Sequence, residues 1–201
     1  MERLLIPLAM ALFLLLALVL PLIRLYRQTG VFGIVVHRGA APLQRFVGTA
    51  FAGTIAAYAT AGGFIGAMGP EALGAWPRPV WAGPLGWVLF AGGLALMVIA
   101  QAQMGASWRI GIDDRPTGLV THGLYRYLRN PIYTGVLSLT AGLGFLVPAW
   151  WSVLGPVLIY AQIRTQVCYE EQHMLKLHGD EFRRYTRVTG RFVPGFAQGV
   201  G

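Results

Sequence analysis

Two segments of this sequence hold residues able to do chemistry: Gly118–Tyr133, GLVTHGLYRYLRNPIY, and the adjacent carboxylates Glu170-Glu171. In the first, Asn130-Pro131 stands directly before an apolar run that opens at Ile132. Proline suits the first turn of a helix and asparagine the cap before it. A helix start with free N–H groups, flanked by Arg126 and Arg129, is a site for a carboxylate or phosphate. The competing reading is anchoring, because arginine and tyrosine beside a membrane helix commonly reach for the headgroups. In the second segment, Gln166 and Glu170 share one helical face, and Arg164, Cys168 and Glu171 share another. Neighbouring carboxylates repel unless something compensates them: a cationic ligand, Arg164, or other nearby arginines. The alternative is a solvated ion pair of little value. His173 and His178 lack a third ligand at zinc spacing, so no metal is expected. Phosphate-binding glycine loops and nucleophile elbows are absent.

These segments must be positioned by a membrane protein. The chain has 201 residues, 55% hydrophobic and only 12% charged, about half the charge of an ordinary soluble domain. Apolar runs predict about five transmembrane helices: Leu4–Ile23, Val47–Met68, Val80–Met104, Ile132–Val147 and Trp151–Tyr169. The first exceeds a usual signal-peptide core and is followed by Arg24 and Arg27, so it is expected to be retained. Gly155-Pro156 is expected to interrupt the last span. Pro148-Ala149-Trp150 makes spans four and five an antiparallel hairpin. After Glu171 the pattern gives a short amphipathic helix, a break at Gly179 and a second surface helix. The fold class is therefore all-α and polytopic, with residues 1–104 as a three-span scaffold and 105–201 as the acting part.

The net charge of +8 follows from orientation and does not call for nucleic acid. Of 16 basic residues, 14 fall in segments on one side, and only Arg3 and Arg78 on the other. Positive charge marks the cytoplasmic side. This puts the N-terminus outside and the C-terminus and site in the cytoplasm, as for a protein of a bacterial inner membrane. Gly62 and Gly66, Gly92-Gly93, and Gly142 with Gly144 are expected to let helices approach closely. Trp76, Trp81, Trp150 and Trp151 fit an outer aromatic belt. The single cysteine, Cys168, excludes an intramolecular disulfide.

The succession Leu119-Val120-Thr121, Gly123, Tyr125, Arg129-Asn130-Pro131, Tyr133, then Glu170-Glu171, Gly179-Asp180-Glu181-Phe182, Tyr185, Arg191 and Pro194 resembles a superfamily of integral membrane methyltransferases. That group includes isoprenylcysteine carboxyl methyltransferases and phospholipid N-methyltransferases. The resemblance covers about residues 105–194. It implies that S-adenosyl-L-methionine lies between the loop before the hairpin and the Glu-Glu end of the last span. Thr117, Gly118, Leu119, Val120, Gly123 and Tyr125 would line it, Asn130, Pro131, Ile132 and Tyr133 would hold it from the hairpin, and Glu170 would meet a cationic or hydroxyl-bearing part. The implied reaction is methyl transfer to a lipophilic acceptor, a small molecule or a lipid, without metal. Glu171 and Tyr133 are the candidates to take a proton from an amine, and Arg164 and Gln166 stand on the acceptor side. Two positions depart from the pattern. Asn130 stands where the family often has histidine. Gln166 replaces the arginine that meets a substrate carboxylate in the carboxyl methyltransferases. An NADPH-dependent reductase related to sterol reductases and a non-catalytic accessory membrane protein are the alternatives.

Overall fold

The computed structural model describes residues 2–30, 42–108 and 118–195. Among them, five helices form an all-α, polytopic membrane protein: α1 (Glu2–Thr29), α2 (Pro42–Met68), α3 (Ala82–Met104), α4 (Pro131–Leu146) and α5 (Trp150–Val188). The first three are each long and apolar enough to cross a bilayer. α4 has 16 residues and spans roughly 24 Å, short for a crossing, as its sequence suggested. It turns back through Val147–Ala149 into α5, whose 39 residues outlast any bilayer. The helix path breaks at Gly179, in a left-handed conformation (φ 51°) that glycine alone adopts freely.

The expected interruption at Gly155-Pro156 is not there. α5 runs through both residues, and Gly155 leaves room for the Tyr58 side chain to pack against it. Proline acts more visibly in α1. Pro21 has no N–H to give to the carbonyl four residues back, which belongs to Ala17. The helix loosens there into a π-turn, Leu15–Val19, and the Ala17 carbonyl accepts instead from Gln101 Nε2 of α3 at 2.9 Å. A proline in one helix thus fixes a glutamine on another.

α3 and α4 form the closest helix pair, and glycines explain it. A Cβ on Gly93 would lie 2.5 Å from the Gly135 carbonyl, and one on Gly142 would lie 2.6 Å from the Gly86 carbonyl. Such backbone-to-backbone approach is how helices associate in lipid, where the hydrophobic effect offers nothing between them. Gly62 and Gly66 instead make room for the side chains of Met10 and Pro7 of α1, whereas Gly92 faces open space. Gly93→Ala is expected to push α3 from α4 and destabilise the protein by about 1–3 kcal/mol, read as a lowered melting temperature in detergent. Gly92→Ala is the control and should change little.

At the end of the bundle that carries the α1 N-terminus, Glu2 pairs with Arg78, and Arg3 donates to the Met68 carbonyl at 2.6 Å. These are the two arginines the sequence set apart from the others.

Candidate active site

The opposite end is built on the N-terminus of α4. Pro131 occupies its first turn and Asn130 the cap position, as expected. The Asn130 side chain, however, makes no cap. Its Nδ2 donates to the Arg191 carbonyl at 3.3 Å, so the helix start is tied to the C-terminal segment. The anion site expected from Arg126 and Arg129 is not formed by them. Arg126 is exposed and lies over the ring of Tyr127. Arg129 is buried: Nε donates to Glu171 Oε1 at 3.0 Å, and Nη1 to the carbonyls of Thr186 and Thr189 at 2.9 and 3.0 Å. Arg191 meets the same carboxylate with two bonds, Nε to Oε1 at 3.1 Å and Nη2 to Oε2 at 2.6 Å.

Glu171 is therefore held by two guanidiniums, all three side chains being at most 5% exposed. Arg129 comes from the loop, Glu171 from α5 and Arg191 from the segment after α5. A short parallel bridge joins the same pieces, with Arg129 N donating to Gly190 O at 2.8 Å and Gly190 N to Tyr127 O at 3.2 Å. The Tyr185 hydroxyl adds a bond to the Tyr125 carbonyl at 2.6 Å, and burial pushes that phenol's pKa up to about 12, so it stays a donor.

Glu170, one residue earlier on α5, has no cation beside it among the described residues. Its Oε1 accepts from the Tyr133 hydroxyl at 2.7 Å and from Gln166 Nε2 at 2.9 Å, while Oε2 takes no hydrogen bond among the described residues. Burial raises its pKa above the ordinary value; the two donors and Glu171 shift it less, the donors lowering it. The spacing of Gln166 and Glu170 was read correctly as one face. The compensation of Glu171 was not assigned to its actual partners, since Arg164 is exposed and away from the pair.

A cavity of about 500 Å³ opens between these groups. Its polar end is walled by Gly118–Val120, Tyr125, Asn130–Tyr133 and Glu170. Its other end runs between α1, α2 and α5, past Leu18, Phe51, Ile55 and Ile163. Most of the residues expected to hold a cofactor therefore meet on one wall. Thr117 lies outside the described residues. Gly123 is not on that wall: at φ 61° it packs on the side chain of Gln103, which accepts from Leu124 N at 2.8 Å, so it shapes the loop. Gln166 lines the cavity and Arg164 does not. Sequence reasoning passed over Trp108, Gln101 and Gln162, which also line it. The two glutamines had a signal, being uncharged polar residues inside apolar spans. No cluster of metal-ligating side chains occurs among the described residues.

The arrangement suits a small polar ligand with a positive or hydroxyl-bearing part against Glu170, and an apolar partner beyond it. Residues 81–181 match the sequence family described as phospholipid methyltransferase. Methanethiol S-methyltransferase 1 of Bradyrhizobium diazoefficiens is 28% identical over 92 residues, which are 42% of this chain and 29% of that protein. The solved structure of a eukaryotic intramembrane Ras methyltransferase, isoprenylcysteine carboxyl methyltransferase, superimposes with a TM-score of 0.55 at 16% identity, over 83% of this chain and 56% of that one. The chain thus spans less than a third of its curated relative and just over half of its structural one.

Proposed function

The chain belongs to the phospholipid methyltransferase family, membrane methyltransferases that use S-adenosylmethionine, and from that premise we propose that it methylates a lipophilic acceptor at the membrane–cytoplasm boundary. The observation that carries this reading is Glu170, a half-buried carboxylate on the cavity wall with two neutral donors and no cation beside it among the described residues. S-adenosylmethionine is a cation with an ammonium group and ribose hydroxyls, which supply what Glu170 lacks. Gly118–Val120, Tyr125 and Asn130–Tyr133 would hold the rest of it.

Bound there, the sulfonium supplies an activated methyl group, and no metal is needed to polarise it. The protein's part is alignment and exclusion of water. The Tyr133–Glu170–Gln166 chain of hydrogen bonds fixes the polar wall, and the buried Arg129–Glu171–Arg191 group fixes the loop above it. Glu171, gripped by two guanidiniums, serves better as a structural anchor than as a proton acceptor. The acceptor enters from the bilayer into the apolar end. We take all five helices to span the membrane, with the Glu2–Arg78 end outside and the site in the cytoplasm; the arginine distribution supports this.

The reading is tested by calorimetric titration of the detergent-solubilised protein with S-adenosylhomocysteine, with NADPH as the parallel ligand. Binding of the first alone is expected. Binding of NADPH alone would move the protein to the reductase reading, and binding of neither would leave a non-catalytic scaffold. Gln166 stands between Glu170 and the apolar end, so Gln166→Arg is expected to change which acceptors are methylated more than it changes S-adenosylhomocysteine affinity, which falls only as far as the guanidinium competes for Glu170. A matched loss of both would sink this division of the wall.

A further inference from the structure

One basic group on the cavity wall has no part in the site as described so far. Gln162, Gln166, Glu170 and His173 of α5 all line the cavity. Helical period puts these four side chains within about 80° of one another around the axis, so they form one stripe. The stripe changes character along its length. Two amides stand toward the apolar end, then the carboxylate, then the imidazole, about 4.5 Å further along the axis than Glu170. Side chains three apart on a helix are neighbours, with about 5–6 Å between their Cβ atoms.

His173 is half-buried and makes no hydrogen bond or ion pair among the described residues. Glu170 spends Oε1 on Tyr133 and Gln166, and its Oε2 takes no hydrogen bond among them. The wall has one other basic side chain among the described residues, Arg129, and that one is committed to Glu171 and to the carbonyls of Thr186 and Thr189. His173 is thus the basic side chain there that can meet an anion without giving up a partner. An acid and a base three residues apart, facing one cavity and not bonded to each other, match a ligand that carries both charges close together. An α-amino acid head is such a ligand, since its ammonium and carboxylate share one carbon.

Resting on the methyltransferase reading of this site, we propose that His173 binds the carboxylate of the methyl donor's amino-acid head while Glu170 takes its ammonium. The imidazole can donate an N–H in either protonation state, and it adds a positive charge when protonated. The contact is a hydrogen bond only; no covalent bond is made or broken at His173.

The test uses the full chain in nanodiscs and three neutral-sulfur probes that cannot transfer a methyl group. They are S-adenosylhomocysteine, the 3-aminopropyl thioether of 5′-deoxyadenosine, which keeps the ammonium and lacks the carboxylate, and the 3-carboxypropyl thioether, which does the reverse. By calorimetry, His173→Ala is expected to weaken S-adenosylhomocysteine and the carboxypropyl probe about tenfold, the lower end for a hydrogen bond to a charged group. The aminopropyl probe should stay within about twofold. Glu170→Ala is expected to show the opposite pattern between the two analogues, weakening the aminopropyl probe and sparing the carboxypropyl one. His173→Ala strands no partner, so its melting temperature should match that of the natural protein. Unchanged S-adenosylhomocysteine affinity in that variant overturns the proposal and assigns the carboxylate to backbone N–H donors. An equal loss for the aminopropyl probe overturns it too, because it reports a disturbed wall and not a lost carboxylate partner. If S-adenosylhomocysteine binds the unaltered protein and only the His173 pattern fails, this assignment alone falls. If S-adenosylhomocysteine does not bind the unaltered protein, the methyltransferase reading and this one fall together.

Discussion

Glu170→Ala is expected to weaken S-adenosylhomocysteine binding about a hundredfold while the protein remains folded. A hydrogen bond to a charged group contributes about 1.5–3 kcal/mol, and the upper value corresponds to that factor. The fold should survive because Glu170 anchors nothing structural: its partners are Tyr133 and Gln166, both on the cavity wall. Affinity unchanged in a folded variant would refute the site. Glu170→Gln separates charge from shape. Burial raises the Glu170 pKa, so the folded state holds this proton more tightly than the unfolded state does. Stability of the ligand-free protein is therefore greatest at low pH and declines as pH rises from the ordinary carboxylate range through the raised pKa. Glutamine carries no such penalty. Melting curves between about pH 5 and 8 should show Glu170→Gln gaining on the natural protein as pH rises, while binding the cofactor more weakly. A site that gains stability on losing its function is one whose charge is kept for a ligand.

The second large effect lies one residue further along. Removing Glu171 leaves Arg129 and Arg191 buried side by side without their shared carboxylate. Breaking a buried ion group from one side costs about 3–5 kcal/mol, so Glu171→Ala should lower the melting temperature sharply and expose the chain after Val188 to proteolysis. Glu171→Gln should also destabilise, since it keeps the shape and loses the charge. The competing role, proton acceptor in catalysis, makes a different forecast: Glu171→Gln would melt normally, bind S-adenosylhomocysteine normally and lose only turnover. Melting temperature and turnover, measured on the same preparation, decide between them.

The helices and their order were legible because long apolar runs and an arginine imbalance are one-dimensional signals. The shared face of Gln166 and Glu170 was legible for the same reason, since helical period alone brings them together. What the sequence hid were pairings across large separations. Arg129 and Arg191 both stood in the recognised pattern, yet nothing in their spacing says that they converge on Glu171; that depends on how the segment after α5 folds back. The role of Gln101 depends on Pro21, 80 positions away, through a carbonyl that no pattern displays. The Asn130 side chain was misjudged because its cap position was right but a competing acceptor, the Arg191 carbonyl, lay within reach. Pro156 was misjudged because helix-breaking is a local rule: a proline removes one backbone bond, and a helix of 39 residues packed against α2 and α4 keeps its path.

The bridge between Leu128 and Gly190 also sets a schedule. The helices are made in chain order, but the residues that fasten the loop over the polar end follow the last of the five. Until Gly190 and Arg191 have emerged, the backbone of Tyr127 and Arg129 lacks its partner and Glu171 has only one of its two guanidiniums. Helix formation and completion of the polar end are thus separate events in the life of this protein: a nascent chain can hold all five helices while this end is still open, and the cavity gains its fastened loop only once the clasp has been made.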